Sequence, residues 1–255
     1  MFSDVSTKFL VVLSIIATAL AGGAFALSWQ PSNHFFDFSP SNDGYVAPRN
    51  VSRLIEDTQN STVVVLCDLA KNEQSLGTGW AIDRTLLKVH VRDTALITNY
   101  HVIKECTESP EKITVALLNE KEVAARVIAF DIDNDIAVLE TKLEVKPLKL
   151  ATYTPWPGYW VMALGSAAGY EGSVAFGNVL NTTSEDILIT NNISEGNSGG
   201  ALVDNEGNVI GMVTWGMDFK NDQYNGARIL DVFCSSIIEC AYESDGEKTW
   251  FEYSD

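Results

Sequence analysis

Apolar residues in this chain fall into two regimes, one unbroken run near the N-terminus and, after residue 50, a succession of runs of strand length separated by turn residues. Residues 28–50 between them are rich in Ser, Asn, Pro and Asp with scattered aromatics, which suits a polar linker. A short helix is expected over Val51 to Thr58, and STVVVLCDL then opens the β-rich part. Strands are predicted in GTGWAID from Gly77, TLLKVHV from Thr85, ALITNY from Ala95, KITVALL from Lys112, VAARVIAF from Val123 and DIAVLET from Asp135. After the proline-marked ATYTPWPGYW comes a second series: WVMALG, SVAFGNVL, DILITN, GALVD and NVIGMVTWG, with turns at Asn181, Asn191 and Asp204 to Gly207. The β runs reach about Trp215, and a short helix is expected around Val232 to Ala241. Two successive β groups make the chain all-β, and closing each into a barrel would remove its exposed edges.

The N-terminal run, Phe9 to Leu27, carries no charge, follows Lys8 and ends near Ala24-Phe25-Ala26, a small-residue pattern suited to signal-peptide cleavage. It is also long enough to cross a bilayer, so residues 1–27 read as a signal peptide or a membrane anchor. Either way the rest of the chain is exported: secreted, periplasmic, or tethered outside the cytoplasm through residues 9–27. With 255 residues, 46% of them hydrophobic, the chain can bury a sizeable core. A formal net charge of −17 repels phosphate backbones, and with no basic stripe in the sequence a nucleic-acid partner is excluded.

Four cysteines, Cys67, Cys106, Cys234 and Cys240, fit an oxidising compartment and permit several pairings. Cys67 with Cys106 and Cys234 with Cys240 is preferred, because each couple lies within one expected substructure. Free buried thiols are the alternative.

Hydrolysis of a peptide at neutral pH needs an activated nucleophile, a neighbouring base held in orientation, and donors for the oxyanion. Ser198 lies in GNSGGALV, where flanking glycines permit close backbone approach and unusual dihedrals. A tight structural turn would explain that motif equally well. His101 follows the apolar run ALITNY and is expected at a strand end, whereas His34 falls in the linker and His90 on an alternating strand. Asp135 stands in DIDNDIAVLE where an acidic turn meets an apolar strand, a place where a carboxylate can meet an imidazole. Asp131 and Asp133 read as solvated turn residues. The cluster lacks the glycine and terminal glutamate of a calcium loop, and no His/Cys spacing suits zinc, so neither metal nor cofactor is expected.

The order His101, Asp135, Ser198 in separate β-flanked motifs resembles the trypsin-like serine peptidases of the chymotrypsin fold, and within them the HtrA/Deg branch. The resemblance rests on GTGWAID, ALITNYHVI, DIDNDIAVLE, ALGSAAGYEGSVAFGNV and ISEGNSGGALVDNEGNVIGMVTWG, covering about Val63 to Gly216. It implies two packed six-stranded antiparallel β-barrels with a short C-terminal helix. The peptidase domain would then span 51–241, with barrels at about 59–148 and 149–230, the helix at about 231–241, and an acidic tail over 242–255. No PDZ domain is expected after Trp215.

By the same resemblance His101 is the general base and acid, Asp135 its orienting partner and Ser198 the nucleophile. The N–H groups of Gly196 and Ser198 would form the oxyanion hole. Asn192 and Ile193 would floor the specificity pocket, and Thr214, Trp215 and Gly216 would wall it. With no basal carboxylate, that pocket disfavours Lys and Arg and takes modest apolar side chains. Asn197 replaces the aspartate that captures a new N-terminal ammonium in trypsin, so activity should not depend on exposing one. The expected partner is a polypeptide substrate, self-association is left open, and the competing function is a catalytically silent peptide-binding protein on the same scaffold.

Overall fold

The computed structural model describes residues 43–69, 74–107, 112–219, 222–240 and 251–252. Helix α1 (Val51–Gln59) leads into β1 (Thr62–Asp68), β2 (Gln74–Ile82) and β3 (Thr94–Thr98). A one-turn helix α2 (Tyr100–Ile103) precedes β4 (Ile113–Leu117), β5 (Val123–Asp131) and β6 (Ile136–Thr141). These strands pair antiparallel in the order β5-β4-β1-β2-β3-β6, and a β5–β6 pairing closes the ring. The second unit comprises β7 (Trp160–Gly165), β8 (Ser173–Thr182), β9 (Asp186–Ile189), β10 (Ala201–Val203), β11 (Val209–Phe219) and β12 (Asp222–Ile229). It closes as β10-β11-β12-β9-β8-β7. Helix α3 (Leu230–Ser235) follows, and a two-residue strand β13 (Phe251–Glu252) pairs with β5. The expected pair of six-stranded antiparallel barrels is therefore present.

Several strands of the first barrel show no polar alternation because both of their faces are buried. In β6, Ile136 and Val138 belong to the large core that runs into the second barrel, while Ala137 and Leu139 fill the first barrel's own interior. The same division sends Trp80 and Ile82 of β2 one way and Ala81 the other. Side chains of this size contribute about 1.5–3 kcal/mol each on full burial, so this shared core holds the two units together. The cysteines pair as Cys67–Cys106 and Cys234–Cys240.

Three elements differ from expectation. TLLKVHV is not a ladder strand: the Asp83 carboxylate accepts from Thr85 N and Oγ1 and draws the chain into a 3₁₀ turn over Arg84–Leu86. Its alternation is genuine, with Leu87, Val89 and Val91 buried, but its partner is the C-terminal segment, through a Leu87–Ile238 bridge. The strand β12 was missed because DQYNGARI has few β-formers, and barrel closure between β11 and β9 overrides that propensity. Helix α3 ends at Ser235 rather than near 241, because Ile237–Glu239 turn back to bond Leu86 and Lys88. The expected signal or anchor, the linker before residue 43 and most of the acidic tail lie outside the described residues.

Candidate active site

His101 sits on α2 immediately after β3 rather than on the strand itself, with Asn99 as the helix's N-cap residue. Asp135 ends the turn that leads into β6 with φ +56°, a left-handed conformation uncommon for a side-chain-bearing residue but tolerated best by Asp and Asn. That backbone twist aims its carboxylate back at α2. Asp135 Oδ2 lies 2.7 Å from His101 Nδ1, and Oδ1 accepts from the His101 backbone N–H at 2.8 Å. Two oxygens on two groups of one residue fix both ring position and ring plane. With Nδ1–H given to the carboxylate, Nε2 is left as the basic nitrogen. The imidazole is 46% exposed and the carboxylate 21%, so the pair opens onto a cleft.

The loop from Ser194 to Gly200 belongs to the second barrel yet is built onto the first. Thr78 of β2, fully buried, donates through N to Ser198 O at 2.8 Å and through Oγ1 to Gly196 O at 2.6 Å. Gly199 has φ +85°, and a Cβ on it would fall 2.1 Å from Thr78 O and 2.4 Å from Thr98 Oγ1. Only glycine lets the loop approach that closely. Through this contact Ser198 comes beside the segment that carries His101. Among the described residues no hydrogen bond joins Ser198 Oγ to His101, a bond that in unliganded sites often forms only with substrate.

Glu195 O accepts from Ala168 N at 2.7 Å, so the N–H of Gly196, opposed to it across a trans peptide, points the other way. Among the described residues neither this N–H nor that of Ser198 has an acceptor in the chain. Two unspent amides beside a serine hydroxyl can receive a developing negative charge. Gly196 has φ +92°, and a Cβ there would lie 2.2 Å from Ser166 O.

The residues expected to line a pocket are divided by the fold. Asn192 and Gly216 are exposed, whereas Ile193 packs into the shared core. Thr214 is buried, donating to Met212 O and accepting from Asn99 Nδ2 at 3.3 Å. Trp215 and Gly216 lie on β11 opposite Gly226 and Asn225. Asn197 is buried, and its Oδ1 lies so near Gly165 that a Cβ there would stand 2.4 Å away.

Sequence reasoning missed several supports. Asn99, fully buried, donates Nδ2 to Asp135 O at 2.8 Å as well as to Thr214 Oγ1, tying the imidazole-bearing turn, the carboxylate-bearing turn and β11 together. Its place directly before Tyr100-His101 was the available signal. Thr78, inside GTGWAID, carried none beyond the motif. Asp131 is a correction: it is fully buried, not solvated, because Asn134 and Ser236 both donate to its carboxylate. Among the described residues no group of three or more His, Cys, Asp or Glu could hold a metal ion.

Comparison with known proteins bears on the family and the fold. The trypsin-like peptidase domain family matches residues 77–212. A probable periplasmic serine endoprotease, DegP-like, of Pseudomonas savastanoi pv. phaseolicola is 34% identical over 57% of this chain and 30% of its own length. An anti-sigma-I factor, RsgI9, of Acetivibrio thermocellus is 30% identical over 68% of this chain and 24% of its own. The chain thus spans under a third of the length of either relative. A serine endoprotease from Yersinia pestis superposes with a TM-score of 0.59 at 24% identity, covering 72% of this chain and 63% of that one, a likeness that speaks to the fold.

Proposed function

The chain belongs to the trypsin-like peptidase family, with HtrA/DegP-like relatives, and on that premise we propose that it is a serine endopeptidase acting through His101, Asp135 and Ser198. The observation that carries the reading is the 2.7 Å contact between His101 Nδ1 and Asp135 Oδ2 beside the glycine-rich loop of Ser198. In the first step Ser198 Oγ bonds to the scissile carbonyl carbon while its proton passes to His101 Nε2. The carbonyl oxygen becomes an oxyanion held by the N–H groups of Gly196 and Ser198, each such donor being worth about 3–4 kcal/mol in the transition state. The C–N bond then breaks, and the amine leaves with the proton from Nε2. Water repeats the cycle on the acyl-enzyme, returning the proton to Ser198. Asp135 holds the imidazole tautomer and offsets the imidazolium charge throughout.

The substrate in this reading is an extended polypeptide that adds main-chain hydrogen bonds to the Thr214–Gly216 strand. None of Asn192, Ile193, Thr214, Trp215 and Gly216 carries a carboxylate, so a specificity pocket drawn from this set, with the packed Ile193 and Thr214 backing it, favours modest apolar side chains over Lys or Arg. The chemistry calls for no cofactor. The peptidase unit spans 51–241 and works outside the cytoplasm, a placement supported by the apolar run Phe9 to Leu27, by the two disulfides and by relatives named as periplasmic.

A second reading, a catalytically silent peptide binder on the same scaffold, draws on the missing bond between Ser198 Oγ and His101 among the described residues. A fluorophosphonate probe separates the two. Labelling of the parent protein that vanishes in Ser198→Ala supports the peptidase; no labelling of the parent, with peptide still bound, supports the binder.

A further inference from the structure

Four residues before Asp135 lies a second carboxylate that the proposed chemistry does not use. Asp131, at the end of β5, is fully buried, yet its sequence neighbours Ile132 and Asp133 are exposed. A buried carboxylate is retained at such a place only if donors repay its desolvation. Asn134 supplies its backbone N–H to Oδ1 at 3.1 Å and its Nδ2 to Oδ2 at 2.7 Å. Ser236 supplies Oγ–H to Oδ2 at 2.5 Å from a position 105 residues away, just beyond helix α3.

These bonds decide the path of the turn. Both donors on Asn134 are pinned, Asp135 N closes the turn onto Ile132 O at 3.3 Å, and the chain leaves Asn134 directly into the left-handed Asp135. A residue held at φ +56° relaxes unless its neighbours over-determine it. Downstream, Asn99 Nδ2 and Tyr100 N grip Asp135 O, which still leaves the upstream side of the twist to Asp131.

Ser236 in turn is not free to drift. It is fully buried, its N–H bonds Val232 O and Phe233 O, and the Cys234–Cys240 disulfide closes the segment around it. The same segment is laced to the first barrel by Lys88 N to Ile237 O, Glu239 N to Leu86 O and Lys88 Nζ to Cys234 O. A stapled C-terminal segment thus reaches across to the turn that presents Asp135.

We propose that Asp131 and Ser236 are positioning residues for the peptidase reaction, a buried clamp by which the C-terminal segment sets the orientation of Asp135 and, through it, of His101. The inference rests on the peptidase reading for its consequence in rate, but its geometric content can be read without turnover. Neither residue touches substrate, so substrate affinity is untouched and the loss falls on kcat.

The test uses Ser236→Ala, which removes one hydroxyl from a buried site and keeps the rest of the clamp, with Asp131→Asn and the double variant beside it. A misplaced catalytic group can cost on the order of 100-fold, and for Ser236→Ala we expect phosphonylation of Ser198 by a fluorophosphonate and kcat on a peptide to fall about tenfold with KM unchanged. The double variant should lose no more than Asp131→Asn alone, since both act through one contact. In the Ser198→Ala background, proton NMR reads the downfield Nδ1–H shared by His101 and Asp135, which should broaden or vanish in Ser236→Ala. If Asp131→Asn does not fold, Ser236→Ala decides the matter by itself. An unchanged NMR signal and unchanged kcat in a variant that merely melts at lower temperature would overturn the clamp. A parent that fails to label with fluorophosphonate would overturn the peptidase reading instead, and the NMR comparison would still judge the clamp.

Discussion

Thr78 Oγ1 donates to the carbonyl oxygen of Gly196 across 2.6 Å, so that a strand residue of the first barrel holds the loop of the second. The same residue holds Ser198 O with its backbone N–H. The loop's orientation is thereby tied to how the barrels dock, while Ala168 N, by holding Glu195 O, turns the N–H of Gly196 free.

Thr78→Val keeps the shape and removes the hydroxyl. The Gly196 carbonyl would retain only Ser166 N at 3.4 Å, and loss of a buried partner costs about 1–3 kcal/mol. We expect that loss in denaturant unfolding and a fall of about tenfold in acylation, from a loop that no longer holds its amides still. Unchanged labelling by a fluorophosphonate would refute the link between docking and the loop.

Gly199→Ala puts a methyl where Thr78 O would stand 2.1 Å away, at a φ of +85°. The clash is with backbone, which cannot move aside. The expected result is loss of labelling together with destabilisation exceeding about 2 kcal/mol, seen as a fall in thermal midpoint. A variant that labels normally would mean the loop does not sit against Thr98 as described.

Glu140 makes stability depend on pH. Burial by itself pushes its carboxyl up, but the Asp93 N–H, the Arg126 guanidinium and the Arg92 N–H outweigh burial and hold it below the ordinary glutamate range. A depressed folded-state value means the contribution is complete above the unfolded value near 4.5 and is lost as pH falls through the folded one. Glu140→Gln should therefore cost about 1.5–3 kcal/mol at pH 7 and progressively less below pH 4. Equal deficits at both pH values, measured by urea unfolding, would contradict this account.

The Cys67–Cys106 disulfide spans 39 residues and closes β1 onto the turn after α2. On the chain-entropy view a loop of that length stabilises the fold by about 4 kcal/mol. Replacing both cysteines by alanine should lower stability by an amount of this order, with the larger part of the effect absent if a reductant has already been added to the parent. A double variant as stable as the oxidised parent would show that the bond constrains nothing in the unfolded chain.

The amino-acid sequence determined what could be written locally. Runs of Val, Ile and Thr of strand length gave the two β groups, glycines around Ser198 marked a loop needing close approach, and His101 and Asp135 stood where apolar strands meet turns. What only the tertiary structure decided were partners far apart in sequence. β12, poor in β-formers, is a strand because the barrel must close. Asp131 looked like a surface acid, yet Ser236, 105 residues on, lets it be buried. Thr78 and Asn99 became supports only when the barrels met. Hydrophobic period and turn chemistry act over a few residues and survive in the bare sequence, whereas a hydrogen bond between distant residues exists only once packing has brought donor and acceptor together.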